Sequence, residues 1–191
     1  VVYYTLEGSD ASSEAYAREV GVALQENLDA QRAQGFAEPI RDEEGLYRAY
    51  VSEVGGALGF ARPVETVFDN PYTPDVREEA ASRAIFVIDN DFVGLGDAPP
   101  SSLIRATVGD DQDATDYVSA DFARPGRCWS TSGEGLDYGQ WTLLQSIADS
   151  HGNGMIVRFW ENAAHMDGLE VMDTALREDG SHLLEAITRW R

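Results

Sequence analysis

The stretch Ala84-Ile85-Phe86-Val87-Ile88 is apolar without a break. A strand that gives one face to water alternates polar with apolar residues, so a run with no alternation predicts an interior strand covered on both sides. A chain built round such a strand needs helices or a second layer to cover it. The rest of the sequence offers them. Val1 to Gly8 reads as a strand rich in β-branched and aromatic residues. A helix should follow, capped by Ser9, Asp10 or Ser12, striped by Tyr16, Val20, Ala23, Leu24 and Leu28, and stopped at Gly35. Leu46, Tyr50, Val54 and Leu58 lie four apart and predict a second helix over residues 42–58. The proline-broken segment 60–74 reads as a loop with a short strand at Val64 to Phe68, and Thr73-Pro74-Asp75 as a helix start. Further strands are expected at Leu103 to Val108, Arg127 to Thr131 and Met155 to Trp160. Helices are expected at Trp141 to Ile147, around Leu169, Met172 and Leu176, and from Ser181 as cap through Leu183, Leu184, Ile187 and Trp190. The expected fold class is α+β (or α/β): one globular domain over residues 1–191, with a mixed β-sheet flanked by several helices and no internal repeat.

The charge is one-sided. The 191 residues contain 34 Asp and Glu against 14 Lys and Arg, a formal net charge of −20, and every one of those bases is arginine. Three causes fit a lysine-free, acidic chain: a high-salt solvent that screens self-repulsion, a GC-rich genome that writes arginine for lysine, or avoidance of lysine modification, as in toxin chains inside a host cell. The excess of acid argues against direct nucleic-acid binding, which needs cations to neutralise phosphates, and against docking on an anionic membrane. It suits a basic protein partner. No apolar run is long enough for a membrane span, and the N-terminus shows no leader pattern. Val1 in place of an initiator methionine is expected to reflect processing or trimming. The expected location is secreted, or cytoplasmic in a high-salt organism.

Familiar catalytic signatures are missing: no nucleophile elbow, phosphate loop, His-Glu-x-x-His or dinucleotide glycine fingerprint. Glu161, His165 and Asp167, with His151 nearby, read as an ordinary solvated helix start, and no metal is assigned. The acidic turn Asp110, Asp111, Asp113 and Asp116 lacks the glycine and the bidentate glutamate of a calcium loop. Cys128, the single cysteine, reads as a small buried hydrophobe beside Trp129.

Leu46-Tyr47-Arg48, then Gly59-Phe60, then Trp129-Ser130-Thr131-Ser132 resemble the arginine strand and the Ser-Thr-Ser strand of toxin-type mono-ADP-ribosyltransferases. The resemblance implies that Arg48 holds a phosphate of NAD and that Ser130 and Ser132 brace the nicotinamide pocket. No Glu-x-Glu or Gln-x-Glu motif follows, and Glu161 is the substitute carboxylate. A fainter similarity, through Tyr16, Tyr138, Glu185 and Arg189, is to ribosome-inactivating A chains, whose Glu and Arg are three apart rather than four. Two expectations therefore stand. The first is an acidic domain adapted to high salt or to a basic protein partner, as an accessory, inhibitor or immunity-type protein would be, with no cofactor assigned. The alternative is an exported toxin-type enzyme cleaving an N-glycosidic bond, an NAD-dependent mono-ADP-ribosyltransferase with Arg48, Ser130, Ser132 and Glu161 as its catalytic set. Oligomeric state is left open by both.

Overall fold

A computed structural model describes residues 1–55, 57–78, 81–93, 101, 103–104 and 141–190. The chain divides into two compact units, Val1–Asp110 and Asp111–Arg191. The fold is α+β, with a mixed sheet of four strands.

The first unit holds β1 (Val2–Tyr3), α1 (Glu14–Ala33), β2 (Ala49–Val51), β3 (Gly59–Thr66) and β4 (Ser82–Ile88). The strand order is β1-β2-β4-β3. β1, β2 and β4 run parallel, and β3 returns antiparallel along β4. The apolar run is thus a central strand, hydrogen-bonded on both edges, but the covering of both faces that its lack of alternation predicts is only partly met. Burial is concentrated at its C-terminal half: Ile88 is 0% and Val87 9% exposed, whereas Ile85 and Phe86 are half-buried.

α1 forms where its signals agree. Ala17, Val20 and Ala23 are buried at helical spacing, Glu14 lies in the first turn and Arg32 in the last, and Gly35 turns the chain away at φ 94°. The cap is Ser13, whose hydroxyl accepts the Tyr16 N–H at 3.1 Å, rather than Ser9, Asp10 or Ser12. Those three residues are occupied elsewhere. Asn90 Nδ2 donates to the carbonyls of Ser9 and Ala11, the Ser12 hydroxyl donates to the Asn90 carbonyl, and Asp10 accepts from Ser52 and Glu53.

β3 is the exposed edge, half-buried only at Gly59. The Leu58 carbonyl accepts the Asp89 N–H, so alternate residues from Leu58 face β4 and Pro63 turns outward, where its missing N–H leaves no gap in the ladder. A register shift between Pro63 and Glu65 further blunts that edge.

Several expectations give way here. Residues 42–58 are not a helix. Asp42 Oδ1 accepts the N–H groups of Glu44 (2.9 Å) and Leu46 (2.8 Å), Gly45 sits at φ 77°, and the chain then enters β2. An aspartate that bonds its own following backbone competes with the helix, and pairing with β1 and β4 completes the override. Of the short strand placed at Val64 to Phe68, Val64 to Thr66 belong to a longer one, β3, that starts at Gly59, and the chain has left the strand by Phe68 at φ 63°. Thr73 does not open a helix, because its hydroxyl donates to the Asn70 carbonyl and to the Glu78 carboxylate within a turn. Leu103 and Ile104 are helical rather than the start of a strand; residues 105–108, the acidic turn and the strand at Arg127 to Thr131 lie outside the described residues.

The second unit holds α2 (Trp141–His151), α3 (Gly154–Asn162), α4 (Leu169–Glu178) and α5 (Leu183–Trp190). Leu143 and Ile147 of α2, Met155 and Phe159 of α3 and Leu176 of α4 meet in one core. The Met155 to Trp160 segment is therefore helical, not a strand: a short apolar run carries no decisive period, and the i,i+4 pair Met155 and Phe159 finds its partners only when helical. At the head of α5, the His182 ring Nδ1 accepts the Glu185 N–H, while the Ser181 hydroxyl donates to the Glu185 carboxylate. Among the described residues no helix is long and apolar enough to cross a membrane.

Candidate functional site

Strand alternation sends Ala49, Val51 and Ile88 to the face that packs on α1, and sends Tyr3, Tyr50 and Val87 to the other. The parallel register sets Tyr3 beside Tyr50, and their rings stack at 5.1 Å with an interplanar angle of 17°. Phe60 pairs with Val87 and extends the row onto β3. No helix of the first unit's described residues covers this row: Tyr3 is 37% and Phe60 45% exposed.

At the carboxyl ends of β1 and β2 the row runs into acid. Asp10 Oδ1 accepts the Ser52 hydroxyl at 2.9 Å and the Glu53 N–H at 3.0 Å, and Glu53 Oε1 accepts the Gly55 N–H at 2.9 Å. One oxygen of each carboxylate shapes the loop, and Glu53 is exposed while Asp10 is half-buried. Tyr4, Tyr50, Phe60, Asp10, Glu53 and Val54 line an open groove of about 720 Å³. Asp89, 2% exposed, braces it from behind: its carboxylate accepts the N–H groups of Val54, Asp91 and Phe92, and its carbonyl accepts the Tyr16 hydroxyl at 2.5 Å. Burial, the largest cause, and the nearby charges of Asp89, Asp91 and Glu19 push the Tyr16 phenol well above its ordinary range. Tyr16 therefore stays a neutral donor.

The amino-terminal end of the same face is arginine-rich. Arg48 stands directly before β2, where its carbonyl accepts the Phe86 N–H. Its guanidinium donates to Asp42, to Glu44 at 2.6 Å and to the Tyr3 hydroxyl at 2.5 Å, and lies 5.6 Å from the Tyr3 ring centre. The Asp42 carboxyl is held below the usual carboxylate range, first by the Leu46 backbone N–H and also by Arg48, against the opposing effect of burial. Arg83 pairs with Glu65 at 3.0 Å across the β3–β4 ladder.

Arg48, expected on a helix, thus heads a strand, and it is already committed to two carboxylates. Glu161 is exposed in the last turn of α3, a helix rather than the segment after a strand. Arg48 belongs to the first unit and Glu161 to the second; Ser130, Ser132 and Cys128 lie outside the described residues. His165 falls beyond the end of α3, so it shares no helical face with Glu161, and His151 Nδ1 contacts the Asp179 carboxylate at 2.6 Å instead. Among the described residues no group of three His, Cys, Asp or Glu side chains could hold a metal ion. Glu185 and Arg189 form an i,i+4 surface pair at 2.9 Å. The residues that sequence reasoning missed are Asp10, Tyr3, Tyr50 and Glu53. The alternation of Val2 with Tyr3 was a signal for the first tyrosine, while the helical spacing through Tyr50 concealed the second. Compared with protein-family models, curated proteins and solved structures, the chain matches none.

Proposed function

We propose that the chain is an acidic, non-catalytic binding module whose open tyrosine face receives cationic side chains of a basic protein partner, as an accessory, inhibitor or immunity-type protein does. The observation that carries this reading is the groove in which Tyr4, Tyr50 and Phe60 adjoin Asp10 and Glu53. Aromatic faces attract guanidinium and ammonium groups, and a carboxylate accepts their N–H bonds. The net charge of −20 adds steering toward a basic surface. Adaptation to a high-salt solvent is compatible with the same composition and does not require the groove.

The test is calorimetric titration with a nona-arginine peptide at low and high sodium chloride. The double variant Asp10→Asn with Glu53→Gln should bind about tenfold more weakly, the loss expected when charge-assisted bonds are removed. Glu170→Gln with Glu178→Gln removes the same charge from the second unit and should change affinity by less than about twofold, since exposed charges that do not line the groove are screened. Equal losses in the two variants would mean that only net charge attracts the peptide, and the groove would have no role.

A second reading, an NAD-dependent mono-ADP-ribosyltransferase acting through Arg48, Ser130, Ser132 and Glu161, is favoured by one observation: Arg48 leads a strand, where the resemblance calls for it. Against it, a phosphate would have to displace Asp42 or Glu44 from the guanidinium. Absence of NAD binding at millimolar concentration would eliminate it.

A further inference from the structure

A second cavity, of about 380 Å³, opens on the same sheet face at the amino-terminal end of β4, between Arg48 and Arg83, with Leu46, Tyr50, Val64 and Ile85 as its apolar walls. Its volume falls within the range of about 300–1,000 Å³ usual for small-ligand sites. The informative atom is Arg83 Nε. It is buried and has no hydrogen-bond partner, and a buried donor without an acceptor is rare and costly. Nε and Nη2 form one edge of the guanidinium, two parallel donors spaced for the two oxygens of a carboxylate. Glu65 engages only the Nη2 end of that edge, at 3.0 Å, and Glu65 is itself half exposed. An exposed ion pair of this kind contributes little and is readily exchanged.

We infer that Arg83 holds a small organic carboxylate with an apolar body, which displaces Glu65, closes both donors of the guanidinium edge and packs its hydrocarbon part on Tyr50, Val64 and Ile85. Charge selects the ligand class. Asp42, Glu44 and Glu65 stand close to the two arginines, so a dianion such as a phosphate monoester would meet net repulsion, and a monoanion is carried better. The apolar walls disfavour a bare inorganic ion. The carboxylate has two sources, a free acid or the C-terminus of a polypeptide, and both present the same group.

The experiment titrates the folded chain with phenylacetate and follows the Arg83 Nε–H resonance by NMR, a probe that an ion pair serving only the fold would leave unmoved. Saturable movement of that resonance is expected, with phenylacetamide inert. Arg83→Lys keeps the positive charge and a contact to Glu65 but loses the fork, and should weaken phenylacetate about tenfold, as Arg83→Gln should. Glu65→Gln removes the competing charge and should tighten binding severalfold. A short acetylated peptide ending in phenylalanine, compared with its amide, separates the sources: tighter binding than phenylacetate points to a chain terminus, and weaker binding to a free acid. An unmoved Arg83 resonance, an Arg83→Lys variant that binds as well as the parent, or a Glu65→Gln variant that binds worse would each overturn the inference. Tyr50 lines both cavities, but the variants at Arg83 and Glu65 leave Asp10 and Glu53 untouched, so failure here and failure of the basic-partner reading remain distinguishable.

Discussion

Replacing Asp89 with alanine tests the link between the core and the groove. The Asp89 side chain is buried at the end of β4, where its Oδ1 accepts Asp91 N–H at 3.1 Å and Phe92 N–H at 2.5 Å, and its Oδ2 accepts Val54 N–H at 3.3 Å. Phe92 has φ 58°, a left-handed conformation that a bulky side chain rarely adopts, and it is 2% exposed against Val20, Val51 and Ile88. The bond from Phe92 to Asp89 holds that strained residue in the core. Hydrogen bonds to a charged acceptor contribute about 1.5–3 kcal/mol each, and the strained backbone costs roughly 1–3 kcal/mol once nothing holds it. The Val54 bond is long and adds little. Because these contributions share one carboxylate and do not sum, Asp89→Ala should cost about 3–5 kcal/mol. Asp89→Asn can keep its oxygen toward Asp91 and Phe92, but its NH2 then meets the Val54 N–H donor to donor, so only that long bond is lost and the cost should be nearer 1–2 kcal/mol. All four tryptophans lie in Asp111–Arg191, so their fluorescence reports the other unit. Urea unfolding followed by far-ultraviolet circular dichroism, with hydrogen exchange of the β4 amides, reads the right one. An alanine variant that loses less than about 1 kcal/mol, or asparagine and alanine variants that lose equally, would show that the carboxylate does not hold Phe92.

Glu38 supplies a pH-dependent test. Its carboxyl is lowered to about 2, first by the Arg32 guanidinium and then by the Tyr47 hydroxyl and Arg41. A folded value below the unfolded one means stability that is full above about pH 4.5 and lost as pH falls toward 2. The melting temperature of the parent should therefore exceed that of Glu38→Gln near neutral pH, and the gap should close by about pH 2; a gap that does not change across that window would refute the assignment. Stability should also rise with sodium chloride, because salt screens 34 acids set against 14 bases. A melting midpoint that is unchanged or lower in molar salt would count against it.

The parts of the fold legible in the sequence are those where local signals agree. In α1 the acidic first turn, the apolar stripe and Gly35 all point one way; in β4 the unbroken apolar run marks a central strand, although Ala84 is exposed and Ile85 and Phe86 are only half-buried. The errors arise where a local pattern is met by a stronger partner. Leu46, Tyr50, Val54 and Leu58 keep helical spacing, but the Asp42 carboxylate binds the turn that follows it and β1 and β4 claim Ala49 to Val51. The Met155 to Trp160 run carries both periods, and only the packing of Phe159 on Leu143 and Leu176 selects the helix.

The groove was illegible for a different reason. Tyr3 and Tyr50 are 47 residues apart, brought side by side by a parallel register that requires α1 to cross between their strands. The −20 charge could indicate the sign of a partner, never its place. Place is decided by α1, which covers the Val51 and Ile88 face, while no helix among the first unit's described residues covers the tyrosine face. Under the binding-module proposal the position of these tyrosines beside Asp10 and Glu53 suits a cation, because ring and carboxylate attract the same group and together specify where it sits.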